Sequence, residues 1–277
     1  VNRGGSKGNN TIQKDYFLPS LNLKYNLNDK NSFRLGASKT YTLPQAKEIS
    51  PYRYVGVNFN SQGNPNLKPS DNYNLDLKWD FNPTPTELIS LTAFYKLIKN
   101  PISRIEVASA GGYLSYENIA DKATVAGVEI EIRKNLFVRP VSNAAHGMNK
   151  LSLGLNGSYI YTNAKMPLAT VTTGSQLEGA APWIVNFDLS HNFTKGERSF
   201  VNTLVLNYVS DKIYTIGTQG YQDIMEQGVL TLDFVSQAKL NKHLSLNLKA
   251  RNLLNPSYKL SRKANENGEK VILNDYK

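Results

Sequence analysis

The chain has 277 residues, no cysteine, a net charge of +10 and a mean hydropathy of −0.41. These values exclude several classes of protein. The length permits one large all-β domain or two smaller domains, but no apolar run approaches the roughly 18–20 residues of a membrane-spanning helix, and the missing cysteines exclude disulfides and thiolate sites. The 32 lysines and arginines are spread along the chain without a zinc-finger or RNA-recognition pattern, so we expect solvated rims near an anionic surface and no nucleic-acid partner.

Strict alternation of apolar and polar residues predicts about ten β-strands. Such alternation places every second side chain on the same face of a sheet. In chain order, the apolar positions are Leu21, Leu23, Tyr25 and Leu27; Phe33, Leu35 and Ala37; Tyr73, Leu75, Leu77, Trp79 and Phe81; Ile89, Leu91, Ala93 and Tyr95; Val128, Ile130 and Ile132; Leu151, Leu153, Leu155, Tyr159 and Tyr161; Trp183, Val185, Phe187, Leu189 and Phe193; Phe200, Leu204, Leu206 and Tyr208; Leu230, Leu232 and Phe234; and Leu244, Leu246, Leu248 and Ala250.

The connections between these strands alternate between short and long. Only the link 135–149, of intermediate length, fits this pattern poorly. An up-and-down antiparallel sheet places every second connection at the same end, and bacterial outer-membrane barrels have short turns at one end and long loops at the other. The sequence therefore predicts an antiparallel up-and-down transmembrane β-barrel. The short links are 28–31, 82–87, 194–197 and 241–243, and the long ones are 41–70, 99–118, 164–181 and 213–227.

Aromatic residues near strand ends favour a membrane barrel over a soluble sandwich, because rings collect at the two headgroup levels around an apolar band. From Trp183 to Phe193 a strand tilted by about 40° rises roughly 25 Å, which matches that band. We expect a lipid-facing aromatic girdle that contains Tyr73, Trp79, Phe81, Trp183 and Phe193. We expect the alternate residues to face the lumen, among them Asp76, Lys78, Glu129, Glu131, Arg133 and Asp188.

Four segments resemble one known family, the TonB-dependent outer-membrane receptors, and most of all the group found in Bacteroidetes. The segments are GNPNLKPS with NYNLDLKW (63–79), AFYKLIKNPI (93–102), ATVAGVEIEIRK (123–134) and ARNLLNPSY (250–258). The resemblance implies a 22-stranded barrel closed by an N-terminal plug. We expect residues 1–277 to be a C-terminal portion of such a barrel that lacks the plug, the TonB box and the final strand. Residues 255–277 are expected to form a surface loop.

The resemblance also implies a function in the outer membrane of a Gram-negative bacterium. It implies active import of a scarce solute, such as a siderophore, an oligosaccharide or a peptide. The implied partners are outer-membrane lipid, the TonB complex acting through the plug of the intact protein, and a surface lipoprotein; no cofactor is implied. A passive porin-like channel and a structural or adhesive barrel remain as alternatives.

The residues give little support to an enzyme or a metal site. His146, His191 and His243 lack a serine and a carboxylate at a recognisable spacing. Glu129 and Glu131 lie beside Arg133 in an alternating pattern, which favours a charge ladder over an acid/base pair. Asp29 and Asn31 supply too few oxygens for a calcium loop.

Ligand binding is predicted for the tyrosines of the long loops. A phenol ring can stack on a sugar or a siderophore aromatic group while its hydroxyl forms hydrogen bonds. The candidates are Tyr52, Tyr54, Tyr113 and Tyr221. For Tyr116 and Tyr214, a place in the outer aromatic girdle is the favoured alternative.

Overall fold

The computed structural model describes residues 15–108, 112–141, 147–166, 176–264 and 269–276. In these ranges the regular structure consists of strands and one short helix, α1 (Ala46–Ile49). No helix in the described part of the chain is long and apolar enough to cross a membrane. The fold class is all-β, as the sequence predicts.

The described residues form a main sheet and two small sheets. The strands are β1 (Ser20–Asn26), β2 (Asn31–Thr42), β3 (Arg53–Tyr54), β4 (Ser61–Gln62), β5 (Ser70–Phe81), β6 (Leu88–Lys99), β7 (Ile102–Val107), β8 (Tyr113–Asn118), β9 (Lys122–Pro140), β10 (Met148–Ala164), β11 (Trp183–Lys195), β12 (Arg198–Val209), β13 (Lys212–Thr215), β14 (Ile224–Glu226), β15 (Val229–Lys239), β16 (Ser245–Ala250), β17 (Tyr258–Lys263) and β18 (Lys270–Tyr276).

The main sheet contains ten strands in the order β1-β2-β5-β6-β9-β10-β11-β12-β15-β16. Every pair of neighbours is antiparallel, and neighbours in the sheet are successive long strands of the chain. This is the predicted up-and-down topology. We call the end with the short connections 27–30, 82–87, 141–147, 196–197 and 240–244 the turn end. The opposite end, with the connections 43–69, 100–121, 165–182 and 210–228, is the loop end.

Two predicted connections differ from the observed ones. The link 135–149 is shorter than expected, because β9 continues to Pro140 and β10 begins at Met148. A β-bulge at Leu136 shifts the register between β9 and β10 and interrupts the alternation on which the prediction depended. The expected surface loop 255–277 instead contains β17 and β18, which pair as a hairpin.

The strand register sorts the side chains of the main sheet onto two faces. On the apolar face, Leu77 pairs with Leu35 on β2 and with Ala93 on β6. On the polar face, the Asp80 carboxylate lies 3.6 Å from the Arg34 guanidinium and 3.4 Å from the Lys78 ammonium. The predicted girdle residues Tyr73, Trp79, Phe81, Trp183 and Phe193 all occupy apolar-face positions of this register. The predicted lumen residues Asp76, Lys78, Glu129, Glu131, Arg133 and Asp188 all occupy polar-face positions.

Aromatic rings lie near both ends of the apolar face. At the loop end, the Trp183 and Tyr159 ring centroids are 4.7 Å apart across β10 and β11. At the turn end, Phe193 lies 6.4 Å from Phe200. The apolar face therefore has mostly aliphatic side chains between two levels of rings, with Phe187 and Phe234 as aromatic exceptions in the middle.

A small hydrophobic core lies at the loop end, on the polar face of the main sheet. Ala123 and Ala164 pair with each other across β9 and β10 and are almost fully buried. Ile105, Ile213 and Ile216, from the long connections, belong to the same buried cluster. The long connections thus fold over the polar face, and the small alanine side chains leave room for them.

The register generates a first prediction about Phe187, which lies between Leu155 and Leu206 in the middle of the apolar face. If this face contacts lipid, Phe187→Arg should cost about 2–4 kcal/mol and impair assembly of the intact protein. The neighbouring Asn186→Arg, on the polar face, should assemble normally. Heat-modifiable migration on a gel measures assembly, and equal assembly of the two variants would contradict the assignment of the faces.

A second prediction concerns close packing at Gly127. An added Cβ there would collide with the Phe94 ring and with the Tyr159 carbonyl oxygen. Gly127→Ala should therefore lower the free energy of unfolding by about 1–3 kcal/mol. At Gly157 the nearest atom to an added Cβ is Ile130 Cγ2 at 3.7 Å, so Gly157→Ala should change it by less than about 0.5 kcal/mol. Urea unfolding of the intact protein tests this difference, and two equal midpoints would refute it.

Candidate ligand-binding surface at the loop end

The long connections and the segment after β16 together form a structured layer, which we call the loop layer, from β3, β4, β7, β8, β13, β14, β17 and β18. One small sheet has the order β3-β4-β8-β7 and the other β13-β14-β17-β18. The two meet at a parallel bridge between Ile105 and Ile216, where Glu106 N donates to Ile216 O at 3.0 Å and Ile216 N donates to Arg104 O at 3.0 Å. The loops predicted to bind ligand therefore support one another.

Arg104 joins three of the long connections. Its Nη2 and Nε donate to Glu178 Oε1 at 2.8 and 3.2 Å, and its backbone N–H donates to Glu178 Oε2. Its guanidinium also stacks over the Tyr214 ring, 4.0 Å from the centroid. Burial raises the pKa of the Glu178 carboxyl, and the bonds from Arg104 oppose this rise. Arg104 therefore acts as a clamp between connections that are distant in sequence.

Arg262 forms a second clamp of the same kind. Its Nη2 donates to the Glu106 carboxylate, and its guanidinium lies 5.3 Å from the Tyr221 ring centroid. The Thr218 hydroxyl donates to the Glu106 carbonyl oxygen. Sequence reasoning missed both arginines, because their partners lie 74 and 156 residues away in the chain and no local pattern marks them.

The most exposed part of the loop layer is residues 52–58, YRYVGVN, which we call the exposed tip. The Tyr52 side chain is 62% exposed and Val55 is 85% exposed. At Gly56 an added Cβ would lie 2.5 Å from the Phe59 carbonyl oxygen, so the tight path of the tip requires glycine. Exposed apolar and aromatic groups at a loop end are typical of recognition sites.

Two cations lie over tyrosine rings beside this tip. The Arg53 guanidinium is 5.1 Å from the Tyr113 centroid, and the Lys47 ammonium is 5.4 Å from the Tyr54 centroid. Neither cation forms an ion pair with a carboxylate of the described residues. In contrast to Arg104 and Arg262, these two cations have a charge that no carboxylate of the described residues pairs with.

The structure thus divides the predicted tyrosines into two groups. Tyr52, Tyr54 and Tyr113 are brought together at the β3-β4-β8-β7 sheet, whereas Tyr221 lies with Arg262 in the other part of the layer. Tyr116 and Tyr214, for which the outer girdle was the favoured alternative, lie on β8 and β13 of the loop layer and not on the main sheet. Tyr116 is half-buried, and this burial raises the pKa of its hydroxyl.

The polar face of the main sheet carries a ladder of hydrogen-bonded polar side chains. Arg133 Nε lies 2.8 Å from Glu131 Oε1, and Asn156 Nδ2 donates to Glu129 Oε1 at 2.9 Å. Glu131, Arg133 and Asn156 border an open groove of about 370 Å³ that Asp188 also lines. Because Glu131 is paired with Arg133 and Glu129 with Asn156, the arrangement is that of a charge ladder and not of an acid/base pair.

The histidines form no catalytic arrangement in the described part of the chain. His191 Nε2 lies 2.8 Å from Asn149 Oδ1 on the apolar face, and His243 lies in the exposed turn between β15 and β16. His146 lies outside the described residues. Among those residues, no group of three or more histidine, aspartate and glutamate side chains could hold a metal ion.

Comparison with known proteins identifies similar chains. A family model described as TonB dependent receptor-like, beta-barrel matches residues 1–253. The chain is 24% identical over 240 residues to the iron-regulated outer membrane virulence protein of Vibrio cholerae, covering 83% of this chain and 34% of that protein. It therefore spans about a third of the length of the curated relatives that it matches.

Two solved structures have a similar fold. The first is a variant of the ferric enterobactin receptor PfeA from Pseudomonas aeruginosa, with a TM-score of 0.57, 18% identity, and coverage of 87% of this chain and 35% of that one. The second is the siderophore receptor PirA from Acinetobacter baumannii, with a TM-score of 0.57, 17% identity, and coverage of 87% and 37%. At these identities the similarity concerns the fold.

The Arg104 clamp generates a third prediction. Arg104→Ala removes two donors from the mostly buried Glu178 carboxylate, which should lower the opening free energy of the loop layer by about 1–3 kcal/mol. Hydrogen–deuterium exchange should then accelerate in residues 100–108 and 176–182 and not in the main sheet. The control is Lys242→Ala, which breaks an exposed 3.0 Å ion pair with Glu197 and should have little effect. Unchanged exchange in Arg104→Ala would show that Arg104 is not a clamp.

Proposed function

The chain belongs to the TonB dependent receptor-like β-barrel family of the bacterial outer membrane, and we propose that it forms part of a receptor that actively imports a scarce solute. In this proposal the loop layer captures the solute, and energy from the inner membrane reaches the receptor through TonB and the plug of the intact protein. The observation that carries the proposal is the structured loop layer, with its exposed tip, at one end of a sheet with one apolar and one polar face. No catalytic role is part of the proposal.

The main sheet is proposed to be a portion of a larger closed barrel. In the described part of the chain β1 and β16 have a partner on one side only. Unpaired N–H and C=O groups cost several kcal/mol each in hydrocarbon, so a sheet that spans lipid must close through further strands. We propose that residues 1–277 are a C-terminal portion of a 22-stranded barrel of the Bacteroidetes group, on the four sequence segments that resemble it.

The two faces of the main sheet have separate proposed environments. The apolar face contacts lipid, with Tyr73, Trp79, Phe81, Trp183 and Phe193 in its aromatic girdle. The polar face lines the lumen, where the ladder that includes Asp76, Lys78, Glu129, Glu131, Arg133 and Asp188 borders water and the plug. The supporting observation is the register, which separates the two sets without exception.

The exposed tip and Tyr113 are the proposed first contact for the solute. Arg53 and Lys47, which form no ion pair within the described part of the chain, supply positive charge beside Tyr113 and Tyr54, and Tyr52 supplies an exposed ring. A solute that carries anionic groups and aromatic rings satisfies both features, because it can pair with the cations and stack on the rings. A ferric catecholate siderophore has this chemistry and is the first candidate. Tyr221, between β13 and β14, remains a second proposed contact.

This proposal yields a fourth prediction. The double variant Arg53→Ala, Tyr113→Ala should weaken binding of a ferric catecholate to the full-length receptor by about 5- to 30-fold, the usual effect of losing interface arginine and tyrosine anchors. The control is Arg139→Ala, Phe137→Ala, a cation–ring pair of 5.5 Å near the turn end, which should bind normally. Quenching of tryptophan fluorescence and uptake of radioactive iron provide the two measurements.

The outcomes of the uptake assay also separate the alternatives. Uptake that is lost when TonB is deleted supports active import, whereas uptake that survives this deletion indicates a passive porin-like channel. If removal of the receptor gene changes no solute uptake, a structural or adhesive barrel is indicated. Equal binding by the double variant and its control would refute the role of the tip while leaving import itself to be decided by the TonB test.

A further inference from the structure

Polar side chains interrupt the apolar face of the main sheet near its turn end. They are Asn149 on β10, His191 on β11, Asn202 on β12 and Ser236 on β15, and we call them the polar cluster. The register places them on the face that carries the leucines of these strands. His191 is directly opposite Asn202, and Asn202 is directly opposite Ser236. The cluster therefore crosses four neighbouring strands.

Two side-chain contacts join the members of the polar cluster. His191 Nε2 lies 2.8 Å from Asn149 Oδ1, and the Ser236 hydroxyl donates to Asn202 Oδ1 at 2.7 Å. The amide NH₂ groups of Asn149 and Asn202 and the Nδ1 atom of His191 have no hydrogen-bond partner among the described residues. All four side chains are partly exposed. Their unused polar atoms can therefore reach a molecule outside this sheet.

The order of side chains along β11 and β12 gives the depth of the cluster. From the turn inwards, this face carries charged residues, then rings, then the polar cluster and then leucines: Lys195 and Arg198, Phe193 and Phe200, His191 and Asn202, Leu189 and Leu204. Two positions on a strand tilted by about 40° correspond to roughly 5 Å of height. Because rings mark the level of lipid headgroups, the cluster lies inside the apolar band.

Polar groups at this depth need a partner. Hydrocarbon offers no hydrogen bond to an amide or an imidazole, so an unpaired group there is costly. Polar side chains that face lipid are rare for this reason, and those that occur pair with other polar groups. Acyl chains cannot pair with the unused atoms of the cluster. The cluster therefore requires a protein surface that presents polar groups at the same depth.

A second copy of the protein meets this requirement by symmetry. Two copies in one membrane share an orientation, so a twofold axis along the membrane normal brings equal depths of both copies together. With the axis between β11 and β12, His191 of one copy faces Asn202 of the other, and Leu189 faces Leu204. An amide contains both a donor and an acceptor, and so does a neutral imidazole. The cluster is therefore complementary to itself.

The surroundings of the cluster allow such a contact. The rings of Phe193 and Phe200 lie next to it and can pair across the same axis. Arg139, on β9 opposite Asn149, is two strands away from β11 and does not face its own counterpart. Lys195 and Arg198 lie beyond the rings, where water and salt screen their charge.

We propose that the polar cluster is the centre of a lateral interface between two copies of the receptor in the outer membrane. His191 and Asn202 form reciprocal hydrogen bonds across the axis, and the neighbouring leucines and phenylalanines exclude lipid around them. This inference rests on the proposed function only in requiring that the apolar face contacts lipid. It goes beyond that function, because import does not require a second receptor.

The first test is cross-linking of the full-length receptor in outer membranes, with any other cysteines removed. Leu204→Cys places a thiol beside the proposed axis. The matched control Leu77→Cys places a thiol on another exposed leucine of the same face, five strands away on β5. With a short thiol-specific cross-linker, Leu204→Cys should give at least about tenfold more receptor dimer than Leu77→Cys. Equal yields, or a cross-link only to a different protein, would overturn the proposal.

The second test removes the polar groups. The twofold axis repeats the contact between His191 and Asn202, and a side-chain hydrogen bond in a membrane contributes roughly threefold in affinity, so His191→Leu, Asn202→Leu should weaken dimerisation about tenfold. The control is Ser190→Ala, Thr203→Ala, which removes two hydroxyls 3.1 Å apart on the polar face and should dimerise normally. Energy transfer between labelled receptors in liposomes, at several ratios of receptor to lipid, measures dimerisation.

The outcomes of the second test are separable. An unchanged dimerisation constant in the leucine variant would overturn the proposal. So would a monomeric wild type that binds a phospholipid through His191 and Asn202. Heat-modifiable migration checks assembly, and if the leucine variant does not assemble, the cross-linking of Leu204→Cys decides.

A labelling experiment separates this proposal from the orientation of the sheet. Leu77→Cys should be protected from a water-soluble maleimide when the apolar face contacts lipid. Protection of this thiol in a receptor that stays monomeric would overturn the interface alone. Rapid labelling would overturn both the interface and the assignment of the apolar face.

Discussion

The structure depends on one constraint, that each backbone N–H and C=O in the membrane must find a partner in a neighbouring strand. The antiparallel ladder of the main sheet meets this constraint, and its register then fixes the face of every side chain. A slip of one residue would move Leu75 and Leu77 to the polar face and Asp76 to the apolar face. The same ladder limits side-chain size where strands approach a ring, as at Gly127 beneath Phe94. The positions of the polar-face ladder and of the aromatic rings follow from the pairing.

The loop layer is held by different forces, because its strands are short and cannot continue the ladder. Its stability comes from the core around Ile105 and Ile216 and from the clamps of Arg104 and Arg262. Each clamp combines a guanidinium, a carboxylate and a tyrosine ring drawn from three different segments of the loop layer. Such a layer can vary in sequence at its surface while the core and the clamps preserve its shape, which suits a recognition surface on a rigid barrel.

The sequence predicted those features that depend on the alternation of apolar and polar residues: the strands, their two faces and their pairing. The alternation from Tyr73 to Phe81 predicts β5, its faces and its antiparallel neighbours, because every residue there obeys the same rule. It failed at Leu136, where a bulge breaks the period, and at β17 and β18, where the residues do not follow a regular apolar–polar alternation. The tyrosines of the candidate site were recognisable by residue type. The Arg104–Glu178 clamp was not, because its two partners meet only through the fold.

Charge compensation explains why similar cation–tyrosine pairs have different proposed roles. Arg104 and Arg262 each pair with a carboxylate, so their charge is satisfied within the protein and they serve its structure. Arg53 lies over Tyr113 without a described carboxylate partner, so its charge is available to a solute at the exposed tip. A cation–tyrosine pair is therefore structural where a carboxylate of the protein pairs with the cation, as at Arg104 and Arg262. Where no described carboxylate does so, as at Arg53, the pair is proposed to bind an anionic solute.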